Sequence, residues 1–312
     1  MKAMVMQAFG GPEVLQMEDV PVPEIGAGEL LVEVKAAGIN PIDYVARSVG
    51  GPLRDSLEKS LPAILGWDIA GTVSKSNSDL FQIGDKVFTL SRFPQITGAY
   101  AEFAAVPADQ AVLMPASLSF EEAAAVPLAA LTAWQSLVET ADIQAGQRVL
   151  IHAAAGGVGH FAVQIAKYKG AYVIATASAH NAEFLESLGV DEVIDYTVQD
   201  VGAEVSDIDI VLHALLPDLR ESASWPCLKP GGLLLSLLGP VPAEEAAKYN
   251  ARAAQIGVRP DAAQLAEIGK LIEDGVVKIT LDCTYSLEQV GEAHTQLAGR
   301  HTRGKIVVTI PE

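Results

Sequence analysis

Residues Val149 to Lys167 read VLIHAAAGGVGHFAVQIAK, and this stretch constrains the fold more tightly than any other in the chain. A short apolar strand, Val149 to His152, runs into Ala154-x-Gly156-x-x-Gly159, and a helix follows from Gly157 to Lys169 with Phe161, Ile165 and Ala166 on one face. Strand, glycine turn and helix in that order open a βαβ unit whose helix N-terminus receives a pyrophosphate. Gly156 lets backbone approach the anion, and Gly159 lets the helix lie close to the strand. The helix start, Ala155 to Gly159, offers unpaired N–H groups and the positive end of a dipole. Ala154 stands where the motif's first glycine would be. The alternation then continues. Tyr172–Thr176, Glu192–Tyr196, Ile208–Leu212 and Gly232–Leu238 read as strands. Helices are expected at Asn181–Leu188, where Gly189 stops the turn, and around 218–227, 243–253 and 261–273. Such alternation predicts a doubly wound α/β domain on a parallel sheet with right-handed crossovers.

The flanks have another texture. Glu29–Ala37, Ile69–Ser74, Lys86–Leu90 and Ala99–Val106 are short strand-like runs separated by Gly10-Gly11-Pro12, Gly50-Gly51-Pro52 and Gly84-Asp85. Ser119 followed by Glu121 and Glu122 marks a helix start, and the chain is rich in Ala, Leu and Glu from Phe120 to Thr140. After Gly275 strand character returns, ending in Lys305–Ile310. The expected layout is a β-rich domain, 1–122 with 275–312, interrupted by the doubly wound domain at 123–274.

Charge and cysteine content remove whole classes of function. The 312 residues carry 21 Lys and Arg against 39 Asp and Glu, a net charge of −18, so nucleic acid and anionic membrane surfaces are poor partners. With only Cys227 and Cys283, neither a disulfide framework nor a Cys-rich zinc cluster can form. No apolar run reaches the roughly 20 residues of a membrane span, and the first residues lack an apolar signal core. A cytoplasmic protein is expected.

The end of the second strand selects between nicotinamide dinucleotides. An acid there would bind a ribose 2′-hydroxyl, but Thr176-Ala177-Ser178-Ala179-His180-Asn181 has none before Glu183. Ser178, His180 and Asn181 are donors for a 2′-phosphate, which favours NADPH, although the stretch lacks Lys and Arg; Thr176, at the strand end, is a further expected cofactor contact.

Several motifs in order carry a family resemblance: Ala37-Gly38-Ile39-Asn40-Pro41-Ile42-Asp43-Tyr44, Gly66-Trp67-Asp68-Ile69-Ala70-Gly71, Gly84-Asp85-Lys86-Val87, Gly98-Ala99-Tyr100-Ala101-Glu102-Phe103, Leu131-Thr132-Ala133-Trp134, the glycine turn, and Arg303-Gly304-Lys305-Ile306-Val307. Along its whole length the chain resembles the medium-chain dehydrogenase/reductase superfamily in its zinc-free quinone oxidoreductase branch. The resemblance implies a GroES-like β-rich catalytic domain, a Rossmann domain for NADPH, an active site in the cleft between them and a homodimer. Zinc members carry Cys where this chain has Asn40, and His-Glu where it has Trp67-Asp68. No metal is therefore expected, and the six scattered histidines read as packed or solvated rings. Without a metal to polarise a carbonyl, the acceptor implied is a quinone, or an enone or alkenal. The resemblance makes Asn40 a catalytic and cofactor-contacting residue and Tyr44 a phenolic donor, the alternative for Tyr44 being a packed aromatic. Asp43 is a local orienting residue. Thr132 and Tyr196 approach the cofactor at the nicotinamide and at the 2′-phosphate, and the basic tail supplies Arg303 and Lys305. The competing expectation is an NADPH-binding sensor or scaffold without turnover.

Overall fold

The computed structural model describes residues 1–51, 53–215 and 222–311, so the 218–221 part of the helix expected at 218–227 lies outside the described residues. The chain divides into two compact units. One comprises Met1–Leu131, Arg259–Gly275 and Ile279–Glu312, the other Thr132–Val258 and Val276–Lys278.

The second unit is built on a six-stranded sheet. Its order across the sheet is Glu192–Asp195, Tyr172–Ala177, Arg148–Ile151, Ile208–His213, Leu228–Ser236 and Arg252–Gln255. Every neighbouring pair is parallel. The first strand in sequence lies in the middle and the order reverses beside it, the arrangement of a dinucleotide-binding sheet. Leu150, Ile174, Val211 and Leu234 are buried with Trp225 in its core. The expected helix 243–253 ends at Lys248, and Arg252–Gln255 is instead the sixth strand. Helices Gly157–Tyr168 and Ala182–Ser187 form as expected, the latter followed by Gly189 at φ +91°.

The first unit carries a seven-stranded and a three-stranded sheet. At the centre of the larger one, Glu29–Ile39 pairs antiparallel with Asp68–Ser76, Phe103–Pro107 and Lys305–Thr309. Ser119 and Glu122 form a reciprocal capping box that starts helix Phe120–Ala124. Pro127 then opens a separate helix, Pro127–Trp134, because its ring cannot continue the preceding one.

Two segments expected in the nucleotide-binding domain belong to the first unit. Leu128 N–H donates to Asp68 Oδ1, which ties the 123–131 segment to that unit's sheet. In helix Ala262–Glu273, a side-chain carbon on Gly269 would sit 3.4 Å from the Phe88 ring and 3.5 Å from Pro115. Among the described residues no helix is long and apolar enough to cross a membrane.

Candidate functional site

The glycine turn in the second unit has the shape its sequence demands. Ala153 takes φ +50°, turning the chain out of the central strand, and Gly156 caps helix Gly157–Tyr168 with φ −79° and ψ −175°. Ala154 N–H donates to Thr176 O, tying the turn to the second strand. The two glycines serve different ends. A side-chain carbon at Gly159 would lie 2.4 Å from Ala153 O and 2.6 Å from Ala154 Cα, so Gly159 is required by the backbone itself. One at Gly156 would meet only Ala153 O, at 3.2 Å. Gly156 thus leaves a small open cradle in front of a helix N-terminus, which fits a pyrophosphate approached by N–H groups. Ala155 is buried, and Gly156, Gly157 and Val158 are partly exposed beside it.

Around the turn the expected cofactor residues separate. Ser178, His180 and Asn181 come together at the end of the second strand. Ser178 Oγ is 3.1 Å from His180 Nδ1, and Asn181 Nδ2 is 3.2 Å from His180 Nε2. Tyr196 stands exposed at the next strand's end, its N–H donating to Ala177 O. Thr176 faces inward instead. Its hydroxyl lies 3.0 Å from His152 Nδ1, and it is 1% exposed, so it supports the floor of the turn and presents no side chain to a ligand. His152 Nε2 continues to Ser224 Oγ at 2.8 Å, and Ser222 links Ser224 to His213. Burial lowers His152 to about 3, helped by His213, and lowers His213 to about 4, so both rings are neutral at ordinary pH. Thr132 is buried at the start of this unit, its carbonyl accepting from Ser136.

Sequence reading missed Asp195. It lies opposite Ala177 in the parallel register, accepts from Thr197 N and Oγ1, and is held below the usual carboxylate range by those bonds and by the Ala179 N–H. A carboxylate therefore does stand beside the 178–181 turn, contributed by a neighbouring strand.

In the first unit the motif residues converge on a buried knot. The register places Gly38 opposite Asp68 and Ile39 opposite Ile306, so Asn40, Asp68 and Lys305 meet at one end of the central strand. Lys305 Nζ donates to Asn40 Oδ1 at 2.5 Å and to Ile39 O at 2.9 Å, and stands 3.6 Å from Asp68 Oδ2. Asn40 Nδ2 donates to Asp68 Oδ2 at 2.8 Å. Gly38 makes this possible, because a side-chain carbon there would press on Asp68 Oδ2 at 2.8 Å and Ala124 O at 2.4 Å. Burial pushes Asp68 up and Lys305 down, and each draws the other back toward its charged form. Lys305 was expected to bind cofactor. Its ammonium is 3% exposed and committed to Asn40, Ile39 and Asp68, which corrects that assignment. Arg303 is partly exposed, with its N–H on Asp282.

Helix Pro41–Arg47 begins at Asn40, whose N–H donates to Asp43 Oδ2 at 2.6 Å. Tyr44 lies half-buried on this helix, and Arg47 is turned to Gly10 O and His294 Nδ1. Full burial raises Asp43 to about 7, opposed by the Asn40 N–H and by Tyr100. A folded-state value above the ordinary 3.8 means that its stability contribution is complete below that pH. The contribution falls as pH rises to about 7, by at most about 4 kcal/mol at 1.36 kcal/mol per unit. Asp43→Asn keeps an acceptor for Asn40 and abolishes the titration. Urea unfolding at stepped pH should show the variant gaining on the parent between pH 4 and 7, with a constant difference above pH 8. A difference independent of pH would refute the assignment.

Among the described residues no three His, Cys, Asp or Glu side chains gather as a metal site requires. The position of the thiolate in zinc relatives holds an amide, and Trp67 donates its indole N–H to Gln95 O against the ring of Phe93.

Residues 26–116 match the alcohol dehydrogenase GroES-like domain, and residues 188–308 match the zinc-binding dehydrogenase family. The chain is 33% identical to the NADPH-dependent alkenal/one oxidoreductase of Arabidopsis thaliana chloroplasts, over 99% of this chain and 79% of that protein. The quinone oxidoreductase structure from Coxiella burnetii superposes with a TM-score of 0.93 at 36% identity, covering 100% of this chain and 99% of that one. The Escherichia coli quinone oxidoreductase complexed with NADPH gives 0.88 at 30% identity, over 99% and 100% of the two chains.

Proposed function

We propose that this chain, which belongs to the medium-chain dehydrogenase/reductase superfamily and is quinone oxidoreductase-like, reduces a quinone or an enone or alkenal with NADPH and without zinc. The observation that carries the reading is the knot of Asn40, Asp68 and Lys305, an amide locked between a carboxylate and an ammonium where zinc relatives keep a thiolate. That set has hydrogen bonds to offer and no soft ligand for a metal. The acceptor must therefore be activated already, as quinones and conjugated carbonyls are.

Bound NADPH supplies the hydride. In the second unit the N–H groups after Gly156 hold the pyrophosphate, and Ser178, His180 and Asn181 with Tyr196 receive the adenosine end. In the first unit Asn40 donates toward the acceptor oxygen as negative charge develops on it, and the Tyr44 hydroxyl supplies a proton. A cytoplasmic homodimer is part of the same reading.

The test is reduced-nicotinamide consumption, followed by absorbance, against a panel of quinones, enones and alkenals. Both NADPH and NADH are compared, because Asp195 at the 178–181 turn works against a 2′-phosphate. Turnover that survives exhaustive chelation and dialysis is the expected result. A zinc-dependent activity would overturn the metal-free mechanism. Tight NADPH binding with no consumption across the panel would move the protein to the sensor reading.

A further inference from the structure

We propose that Lys305 is a positioning residue, whose ammonium fixes the Asn40 side-chain amide in one of its two flips and polarises it so that its remaining N–H is a strong donor to the reacting acceptor. The inference rests on the reading above, in which Asn40 is the donor to the acceptor oxygen.

The flip is decided by chemistry. An ammonium has only donors and a carboxylate only acceptors. Lys305 Nζ at 2.5 Å therefore requires Asn40 Oδ1 on its side, and Asp68 Oδ2 at 2.8 Å requires Nδ2 on the other. Reversing the amide would set N–H against ammonium and oxygen against carboxylate, in a site with Asn40 1% exposed and Asp68 fully buried. In such surroundings the mismatch has no water to relieve it. One Nδ2–H is spent on Asp68, and the second is left with a fixed direction. The ammonium on Oδ1 draws electron density out of the amide, which makes that N–H a better donor to an oxygen acquiring negative charge.

The neighbouring groups keep Lys305 in place. Ile39 O takes a further Nζ proton at 2.9 Å. Asp68 is itself fixed by the Leu128 N–H on Oδ1 at 2.7 Å, so it cannot swing to form a closer pair with Lys305 and release Asn40. The lysine reaches this site because the terminal strand Lys305–Thr309 lies antiparallel on Glu29–Ile39 with Ile306 facing Ile39. The ion pair with Asp68 alone would be a structural reason for the lysine. The shorter bond to the Asn40 oxygen is not needed for that purpose.

Lys305→Met tests the claim. It should lower kcat roughly 100-fold while the KM for the acceptor and the Kd for NADPH stay within about threefold, the pattern of a lost transition-state donor. Because Lys305→Met strands a buried carboxylate and risks misfolding, the second variant is Lys305→Met with Asp68→Asn, which removes both charges. That variant should recover thermal stability without recovering kcat. Recovery of kcat together with stability would reduce Lys305 to a structural partner of Asp68 and overturn the proposal. A readout apart from turnover is the Asn40 side-chain amide signal in ¹⁵N spectra, assigned by its loss in Asn40→Ala. It should lie upfield in the double variant of its position in Asp68→Asn alone, the ammonium being the difference between the two, and a signal unmoved between them would also overturn the proposal. A parent protein that turns over no acceptor would instead defeat the functional reading, and the amide signal would still report whether Lys305 holds Asn40.

Discussion

Gly156→Val is expected to abolish NADPH binding while leaving the fold intact, and Gly159→Val to destroy the fold. The contrast follows from what each new side chain would meet. Valine is comfortable at the φ −79° and ψ −175° of Gly156, and its Cβ would find a single neighbour, Ala153 O, at 3.2 Å. Loss of a good N-cap residue costs about 1 kcal/mol, so the melting temperature should fall by a few degrees. The methyls would occupy the cradle through which backbone N–H groups reach a pyrophosphate. Affinity should drop at least roughly 100-fold, about 2.7 kcal/mol. At Gly159 the first side-chain carbon alone would stand 2.4 Å from Ala153 O, 2.6 Å from Ala154 Cα and 2.7 Å from Ala154 C, and backbone cannot yield as a flexible side chain would. Circular dichroism melts and titration of nicotinamide fluorescence separate the two. Normal NADPH affinity in Gly156→Val would remove the turn from the cofactor site.

The turn was legible because its demands are local. Strand, glycines and helix fall within twenty consecutive residues, and each constraint acts on neighbours in sequence. The knot was legible only in part. Asn40 and Asp68 stood out by occupying positions where zinc relatives keep ligands, but Lys305 lies 265 residues from Asn40 and meets it through strand register. Its charge, read from the sequence, suggested a phosphate; its neighbours, read from the register, are an amide, a carbonyl and a carboxylate. Asp195 escaped for a similar reason, since it enters the 178–181 turn from the adjacent strand opposite Ala177. Thr176 ends the second strand expected from the sequence, where a cofactor contact is anticipated, and only the fold shows His152 beside it. Periodicity found helix Ala262–Glu273 but could not say which unit it packs against. Gly269 beside Phe88 and Pro115 decides that. Strand Arg252–Gln255 was hidden because Ala253 and Ala254 extend an Ala-rich helical stretch.

Asn40→Ala is expected to lower turnover by roughly 100- to 1,000-fold, the range for deletion of one oxyanion-stabilising donor. The substitution removes the amide that stands between Lys305 Nζ and Asp68 Oδ2, but it leaves those two side chains 3.6 Å apart with their other bonds, to Ile39 O and from Leu128 N, in place. The stability loss should therefore stay at about 1–3 kcal/mol, that of one broken buried hydrogen-bond set. The backbone N–H of residue 40 still caps onto Asp43, so helix Pro41–Arg47 should persist. NADPH affinity should weaken only modestly, because Gly156 and the 178–181 turn belong to the second unit and are untouched. A large fall in kcat with near-normal NADPH affinity separates a donor to the reacting oxygen from a residue that merely holds the fold, which would lower stability and leave the kcat of the folded fraction unchanged. Unchanged turnover in well-folded Asn40→Ala would remove Asn40 from the chemistry and pass the task of stabilising the acceptor oxygen to Tyr44, whose exchange for Phe would then be the variant that silences the enzyme.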